Sequence, residues 1–351
     1  MRAGHPRSPG SAFVVLEFDL HPRFGLEAFL GQPHLCRRLG RVVRLQGFVL
    51  RFFLVVHILI HWFSIPGLQC SQNREVTSGP PLVGGFDPLE YWEQRLRRYF
   101  GPCGVGCLGL SEGYNRWLAR VRAVVGRRAL VSVCSDWRGR NVLDIGSGTG
   151  FWIDQWRRLG AEPVIGSDFT SGSVARLREL WGRTAIHRID ITAHDLPSMG
   201  PFDAVSAFDV FFHIVDDAAY ARAWRNVAWL VRPGGLFFLT ENFLRNGPER
   251  QKHLVSRTLR DIERLVAAAG FEILARRPVF VLMNRPIDSA SPTLRWWWQM
   301  LERIVSYELA GSLVGAGLFP IEVLLTSILR QGPSTELMIC RKREGAGLTR
   351  T

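Results

Sequence analysis

Residues 141–170 read NVLDIGSGTGFWIDQWRRLGAEPVIGSDFT, and this stretch decides the fold. Its first five residues form a short apolar run around a single acid, Asp144, as in a strand buried on both faces. Gly146, Gly148 and Gly150 follow in a tight turn. Trp152, Trp156 and Leu159 then recur at helical spacing, which predicts a helix packed back on the sheet. Gly160 stops that helix, and residues 163–167 predict a second strand with Asp168 at its tip. Strand, glycine turn, helix, strand and acid make the nucleotide-binding half of an open, doubly wound α/β sheet.

The chemistry of the spacing is local. Glycines lack a Cβ, so the backbone comes close to a ligand, and the helix N-terminus beyond them offers free N–H groups. An acid at the end of the second strand can accept hydrogen bonds from ribose hydroxyls. Two other nucleotide patterns are excluded. A dinucleotide GxGxxG turn starting at Gly146 needs glycine where Phe151 stands, and no Lys-Ser/Thr pair completes a P-loop.

An in-strand acid followed by GxGxG resembles motif I of the class I S-adenosylmethionine (SAM) dependent methyltransferases. The likeness extends in motif order over residues 141–343 and includes the turn Leu230-Val231-Arg232-Pro233-Gly234-Gly235 before an apolar strand. It also looks like a bacterial small-molecule branch of that family. The resemblance implies a Rossmann-like seven-stranded sheet whose last strand is antiparallel, and SAM as cofactor. Carried over residue by residue, it puts Asp144, Gly146, Gly148 and Gly150 around the methionine end. Asp168 would bind the ribose and Phe169 would lie against the adenine, with Asp190 and Ile191 completing the adenine site. Asp190 keeps a second reading, as a turn acid capping the next segment.

The remaining elements continue the alternation. Residues 185–191 predict the third strand, 202–210 the fourth, 236–240 the fifth, 271–282 the sixth and 336–341 the seventh. Helices are predicted at 174–181, at 218–230, where Asp216 or Asp217 serves as N-cap or dipole partner, and at 258–270. The chain divides into four regions. Residues 1–83 are an N-terminal extension with a hydrophobic segment at 52–65, shorter than the roughly 20 residues a membrane span needs. Residues 84–140 predict a helical cap. The domain at 141–343 carries a helical lid inserted at 286–333, and 344–351 are a tail.

The net charge of +13 would suit nucleic acid, but its distribution argues otherwise. Residues 141–245 carry ten Arg against twelve Asp/Glu, while the surplus lies in the flanks. With two lysines in the whole chain, the Arg bias looks like GC-rich coding and not a phosphate-binding stripe. The six cysteines are scattered, and the pair Cys103/Cys107 lacks a partner set for zinc. No metal and no obligate protein partner are implied, and a cytoplasmic setting is expected. Membrane association is the alternative, because the insertion contains Trp296-Trp297-Trp298 and a very apolar run at 309–329. Glu308, Pro320 and Glu322 interrupt that run as a span.

Methyl transfer asks the protein to align donor and acceptor and to exclude water, with a base where the acceptor must lose a proton. His213, just beyond strand four, is the candidate base, set against a structural histidine. Asp209 shares its loop, and could equally orient backbone amides. Glu241 and Asn242 at the tip of strand five are acceptor-side candidates, as are Tyr91 and Tyr114 of the cap. The loop 208–212 reads Phe-Asp-Val-Phe-Phe, unlike the Asn/Asp-Pro-Pro-aromatic motif of base-amino methylation, and no Pro-Cys nucleophile is placed. The expected acceptor is a small molecule, with a lipid-like acceptor as the alternative. A nicotinamide oxidoreductase is disfavoured by Phe151 and Asp144. A non-catalytic SAM-binding module is disfavoured by the intact acids Asp168 and Asp190.

Overall fold

The computed structural model describes residues 86–345 apart from Asn246. The extension to residue 83, including the apolar segment at 52–65, lies outside the described residues, as does nearly all of the tail. Helix α1 (Pro88–Arg98) starts where Asp87 accepts from the Leu89 N–H at 2.8 Å and Pro88 presets the first turn. A single turn, α2 (Pro102–Val105), leads to the long α3 (Glu112–Val133), capped by the Ser111 hydroxyl.

The α/β alternation then runs β1 (Val142–Ile145), α4 (Phe151–Arg158), β2 (Val164–Asp168), α5 (Ser171–Trp181), β3 (Ile186–Arg188), β4 (Phe202–Ala207), α6 (Asp217–Leu230) and β5 (Val231–Glu241). A small hairpin of β6 (Glu249–Gln251) and β7 (Leu254–Ser256) comes next, then α7 (Leu259–Ala268) and β8 (Phe271–Pro278). The inserted helices α8 (Pro292–Val305) and α9 (Glu308–Ile328) precede β9 (Glu336–Lys342).

The seven-stranded sheet has the order β3-β2-β1-β4-β5-β9-β8, with β9 antiparallel to both neighbours and the first five strands parallel. This is the expected sheet. Strand order reverses beside β1, so the ligand-binding crevice of such a fold lies beyond the carboxyl ends of β1 and β4. Several strands end earlier than their apolar runs predict. The third, fourth and sixth stop at Arg188, Ala207 and Pro278, because the residues beyond turn out of the ladder. Residues Phe211–His213, just past the predicted fourth strand, form a 3-10 turn. The β6–β7 hairpin had no periodicity long enough to announce it.

One face of the sheet buries Trp224, Tyr220, Phe211, Phe237 and Phe271 in a continuous aromatic cluster under α6 and α7. Asp216 is the N-cap of α6, and its carboxylate accepts from the Ala219 N–H. At the other end, Lys342 of β9 donates to the Ala228 and Val231 carbonyls at 2.6 and 2.8 Å. These are carbonyls at the C-terminal end of α6 that no further turn of helix can satisfy.

The inserted helices do not stand alone as a lid; α9 runs alongside α3. Small residues let the two backbones approach: a Cβ on Gly311 would meet Ser111 Oγ at 2.1 Å, and one on Gly315 the Trp117 ring at 2.5 Å. Glu308 accepts the Glu112 and Gly113 N–H groups at the start of α3, at 2.9 and 2.8 Å. Cap and insertion therefore form one helical layer.

Replacing the buried ammonium is the simplest probe of this architecture. Lys342→Met keeps the side-chain length and removes both hydrogen bonds. It is expected to lower unfolding free energy by about 2 kcal/mol in urea titration, and an unchanged midpoint would show that the contacts do not matter.

Candidate functional site

At the carboxyl end of β1, Asp144 is buried and its Oδ1 accepts from the Ser206 hydroxyl of β4 at 2.7 Å. Ser206 Oγ in turn accepts from the Trp156 indole of α4 at 2.9 Å. The second carboxylate oxygen, Oδ2, is buried with no hydrogen-bond partner among the described residues. Burial pushes the Asp144 carboxyl up to about 7, against the Ser206 hydrogen bond that favours its ionised form.

The glycine turn is left-handed at Gly146, Gly148 and Gly150, with φ of +66°, +53° and +84°. At Gly148 the conformation favours glycine, and a Cβ there would lie 2.9 Å from a Val105 methyl of the cap. Gly148 N–H donates to Asp168 Oδ2 at 2.9 Å, which ties the turn to the acid at the tip of β2. Asp168 Oδ1 accepts both the Thr170 N–H and its hydroxyl. Three of the roughly four acceptor positions of this buried carboxylate are therefore used inside the protein. Burial raises its pKa, and the Thr170 and Gly148 hydrogen bonds oppose the rise.

The cap closes over the same end of the sheet. Glu93 of α1 accepts the Ser171 and Gly172 N–H groups at the start of α5. Arg95 donates to the Gly104 and Gly106 carbonyls and to the Tyr91 hydroxyl, and its guanidinium lies 4.8 Å from the Trp92 ring centroid. Trp92 meets His213 edge-on at 4.7 Å. His253 from the β6–β7 turn stacks on Tyr91 at 5.1 Å and on His213 at 6.0 Å. His213 Nδ1 lies 2.9 Å from the His253 carbonyl oxygen. A carbonyl only accepts, so Nδ1 carries the proton and Nε2 keeps its lone pair. Burial, with the His253 and Arg95 charges, pushes His213 down to about 4.

Residues 142–235 match the model of the methyltransferase domain family. The ubiquinone biosynthesis O-methyltransferase of Albidiferax ferrireducens is 29% identical over 182 residues, covering 48% of this chain and 71% of its own. That of Neisseria meningitidis is 34% identical over 126 residues, or 34% of this chain and 51% of its own. The chain thus spans only about half of some curated relatives. Among solved structures, Synechocystis magnesium protoporphyrin IX methyltransferase with bound SAM is 15% identical, covers 76% of this chain and 100% of its own, and has a TM-score of 0.44. Residues 142–235 carry a methyltransferase domain, and these likenesses support a class I SAM-dependent methyltransferase.

The residues of this methyltransferase fit SAM, its cofactor. A left-handed glycine turn, an acid at the β2 tip and a buried carboxylate oxygen without a partner meet at one end of the sheet. Phe169 is half-buried just after Asp168, and its carbonyl accepts from Arg188. Asp190 is exposed, and its carboxylate holds the Thr192 N–H and hydroxyl as a turn acid does. Ile191 faces the core.

Other expected residues are bound up within the protein. Asp209 sits at φ +58°, its carboxylate accepts from Thr240, and Arg122 Nε lies 2.8 Å away as an ion pair. Tyr114 is fully buried between helices and donates to the Met283 carbonyl at 2.8 Å. Asn242 bridges Ser256 and Thr335. Glu241 is buried, accepts from the Tyr220 hydroxyl at 3.1 Å, and is pushed up to about 8 by burial. Beyond Tyr220 lie Arg257, whose guanidinium is 3.7 Å from that ring centroid, and Asp217.

Sequence reading missed Glu93, Trp92, Arg95 and His253. Nothing in the spacing of Glu93, Trp92 or His253 marks them, because each acts on a residue far along the chain. His253 carried one faint signal, as a histidine in a short polar connection after strand five.

The raised Glu241 pKa has a signed consequence. Between about pH 4.5 and 8 the folded chain holds a proton that the unfolded chain has lost, so stability falls through that window and levels off above it. Glu241→Gln removes this group's share. The variant's thermal midpoint should rise relative to wild type as pH goes from 5 to 8, and parallel curves would show that Glu241 is ionised in the fold.

Proposed function

We propose that this methyltransferase methylates an oxygen on a small molecule, with His213 as the base that takes the acceptor's proton. The observation that carries the reading is the Nδ1 contact with the His253 carbonyl, which leaves Nε2 free of its proton. A histidine pushed down to about 4 is neutral at every physiological pH, so none of the enzyme waits in an unreactive imidazolium form. The activity of the curated relatives, O-methylation in ubiquinone biosynthesis, supports an oxygen acceptor.

SAM supplies a methyl carbon already activated by its sulfonium. The chain holds that cofactor with the turn 146–150, Asp144 and Asp168, and Phe169 and Asp190 flank the adenine side. Asp144 Oδ2 offers a buried acceptor, and Asp168 has one acceptor position left, or two if the Gly148 N–H lets go. Trp92, Tyr91 and His253 wall the acceptor side and keep water from it. Arg122 and Thr240 hold Asp209 beneath His213, where its negative charge favours the imidazolium formed once the proton has moved. We place the reaction in the cytoplasm, a setting consistent with the free thiols of Cys103, Cys107, Cys134 and Cys340. A lipid-like acceptor is the second reading, favoured by the apolar outer side of α9.

Incubation with SAM labelled in its methyl group and extracts fractionated by polarity is expected to label a small organic product and not protein or RNA. With that product's precursor as substrate, His213→Gln should lower kcat by about 10²–10⁴ while the affinity for S-adenosylhomocysteine stays the same. Wild-type kcat should be flat from pH 5.5 to 8. Equal rates in the variant, or a wild-type midpoint near 6.5, would remove His213 from the role.

A further inference from the structure

α9 has two contrasting sides. Ala310, Gly311, Val314, Gly315, Leu318, Glu322 and Thr326 are buried against the rest of the protein. Leu309, Leu313, Ala316, Pro320, Leu324 and Ile328 are exposed, a stripe at three- and four-residue spacing along the opposite side. Leu309, Leu313 and Ile328 are 74, 60 and 64% exposed. An ordinary surface helix carries its charges on that side. Here the one charged residue between 309 and 329 is Glu322, and it is turned inward, where it accepts the Val281, Leu282 and Met283 N–H groups.

The flank of the stripe is basic. Alongside it, α3 exposes Arg116, Arg120, Arg127 and Arg128. The Arg128 guanidinium donates to the Val323 carbonyl of α9 at 3.0 Å. That of Arg120 lies 4.1 Å from the Trp117 ring centroid, and Trp117 packs on Phe319 of α9 at 5.3 Å. Arg330 is exposed just past the end of the helix. The acids of these elements are already occupied: Glu112 pairs with Arg116, and Glu308 holds the first amides of α3. Among the described residues, Arg120, Arg127 and Arg128 have no carboxylate in ion-pair contact.

We infer that the outer side of α9 rests on an anionic lipid bilayer, the helix lying in the plane of the surface with the arginines of α3 at headgroup level. The helix is 21 residues long, and an 18-residue stretch of it has a mean hydropathy of 1.7, enough by length to cross a membrane. It does not cross one, because its inner side is held to α3 and to residues 281–283. Leucines and an isoleucine enter the acyl boundary while arginines meet lipid phosphates, the two attractions that hold an amphipathic helix at an interface. A second copy of the chain would offer the stripe another apolar surface, but it would bring more arginines and not the anions they lack. The inference does not depend on which acceptor is methylated.

Sedimentation of the full chain with vesicles tests it. Wild type should pellet with phosphatidylcholine vesicles containing a third phosphatidylglycerol, and at least tenfold less with pure phosphatidylcholine. Leu313→Glu should lower the partition coefficient tenfold or more, and Arg120→Glu with Arg128→Glu should lower it several-fold. Leu313 is exposed, and S-adenosylhomocysteine affinity should be unchanged in the variant, which shows that the fold persists. The inference is overturned if wild type does not pellet, or if Leu313→Glu pellets as wild type does. It is equally overturned if Ile58→Glu abolishes binding while Leu313→Glu does not, which would assign the contact to residues 52–65. A dimer that Leu313→Glu dissociates, with no vesicle binding, would make the occupant a second copy.

Discussion

A carboxylate with no cation beside it sits at the carboxyl end of the central strand, and much of the fold is arranged around that cost. Asp144 is held by one hydroxyl, from Ser206, and that hydroxyl is fixed by the Trp156 indole. Three elements, β1, β4 and α4, are thereby joined through one polar chain inside an otherwise apolar interior. A hydrogen-bonded chain of this kind offsets only part of the desolvation of an acid, which is why the carboxyl is pushed up to about 7. A core built for stability alone would place an aliphatic residue there. The unpartnered Oδ2 makes sense as a group kept for a hydrogen-bond donor that arrives from outside, beside a turn whose backbone conformation only glycine adopts without strain.

The same constraint explains what the cap does. A site of buried acids and bare backbone works only while water is kept out, so something must cover it. Glu93 attaches α1 to the first turn of α5, and Arg95 gathers the Gly104 and Gly106 carbonyls so that Val105 reaches Gly148. The cover brings its own aromatic wall, Tyr91 and Trp92, against His213 and His253. Burial of those imidazoles then sets their protonation. One packing event both excludes solvent and keeps a base neutral.

The parts legible in the sequence were those whose physics is local. The glycine turn, Asp168 at a strand tip, Asp216 at a helix start and the apolar runs of β1, β5 and β9 follow from φ/ψ limits, capping and periodicity within a dozen residues. Strand ends were less legible, because a ladder stops where a neighbour stops, and β3 pairs with β2 over only Ile186–Arg188. The hairpin of β6 and β7 was missed because three-residue strands carry no period. His253 and Glu93 were invisible for a different reason: their hydrogen-bond partners lie 40 and 79 residues away, and no spacing rule relates them. Tyr114 shows the converse, an aromatic at an acceptor-side position whose hydroxyl is taken by the Met283 carbonyl.

Glu322 shows how one side chain's direction changes the meaning of a whole segment. In the sequence it breaks an apolar run, and a break of that kind argues against membrane contact. In the fold it points away from solvent and caps three backbone amides of the connection after β8, including both neighbours of Leu282. The run is therefore unbroken on the side that matters, and the acid becomes the anchor that ties α9 to residues 281–283. Hydropathy averaged along the chain cannot distinguish these cases, because it sums over both sides of a helix. Only the angular position of the charge decides between a disrupted span and an intact apolar surface with its polar ties turned inward.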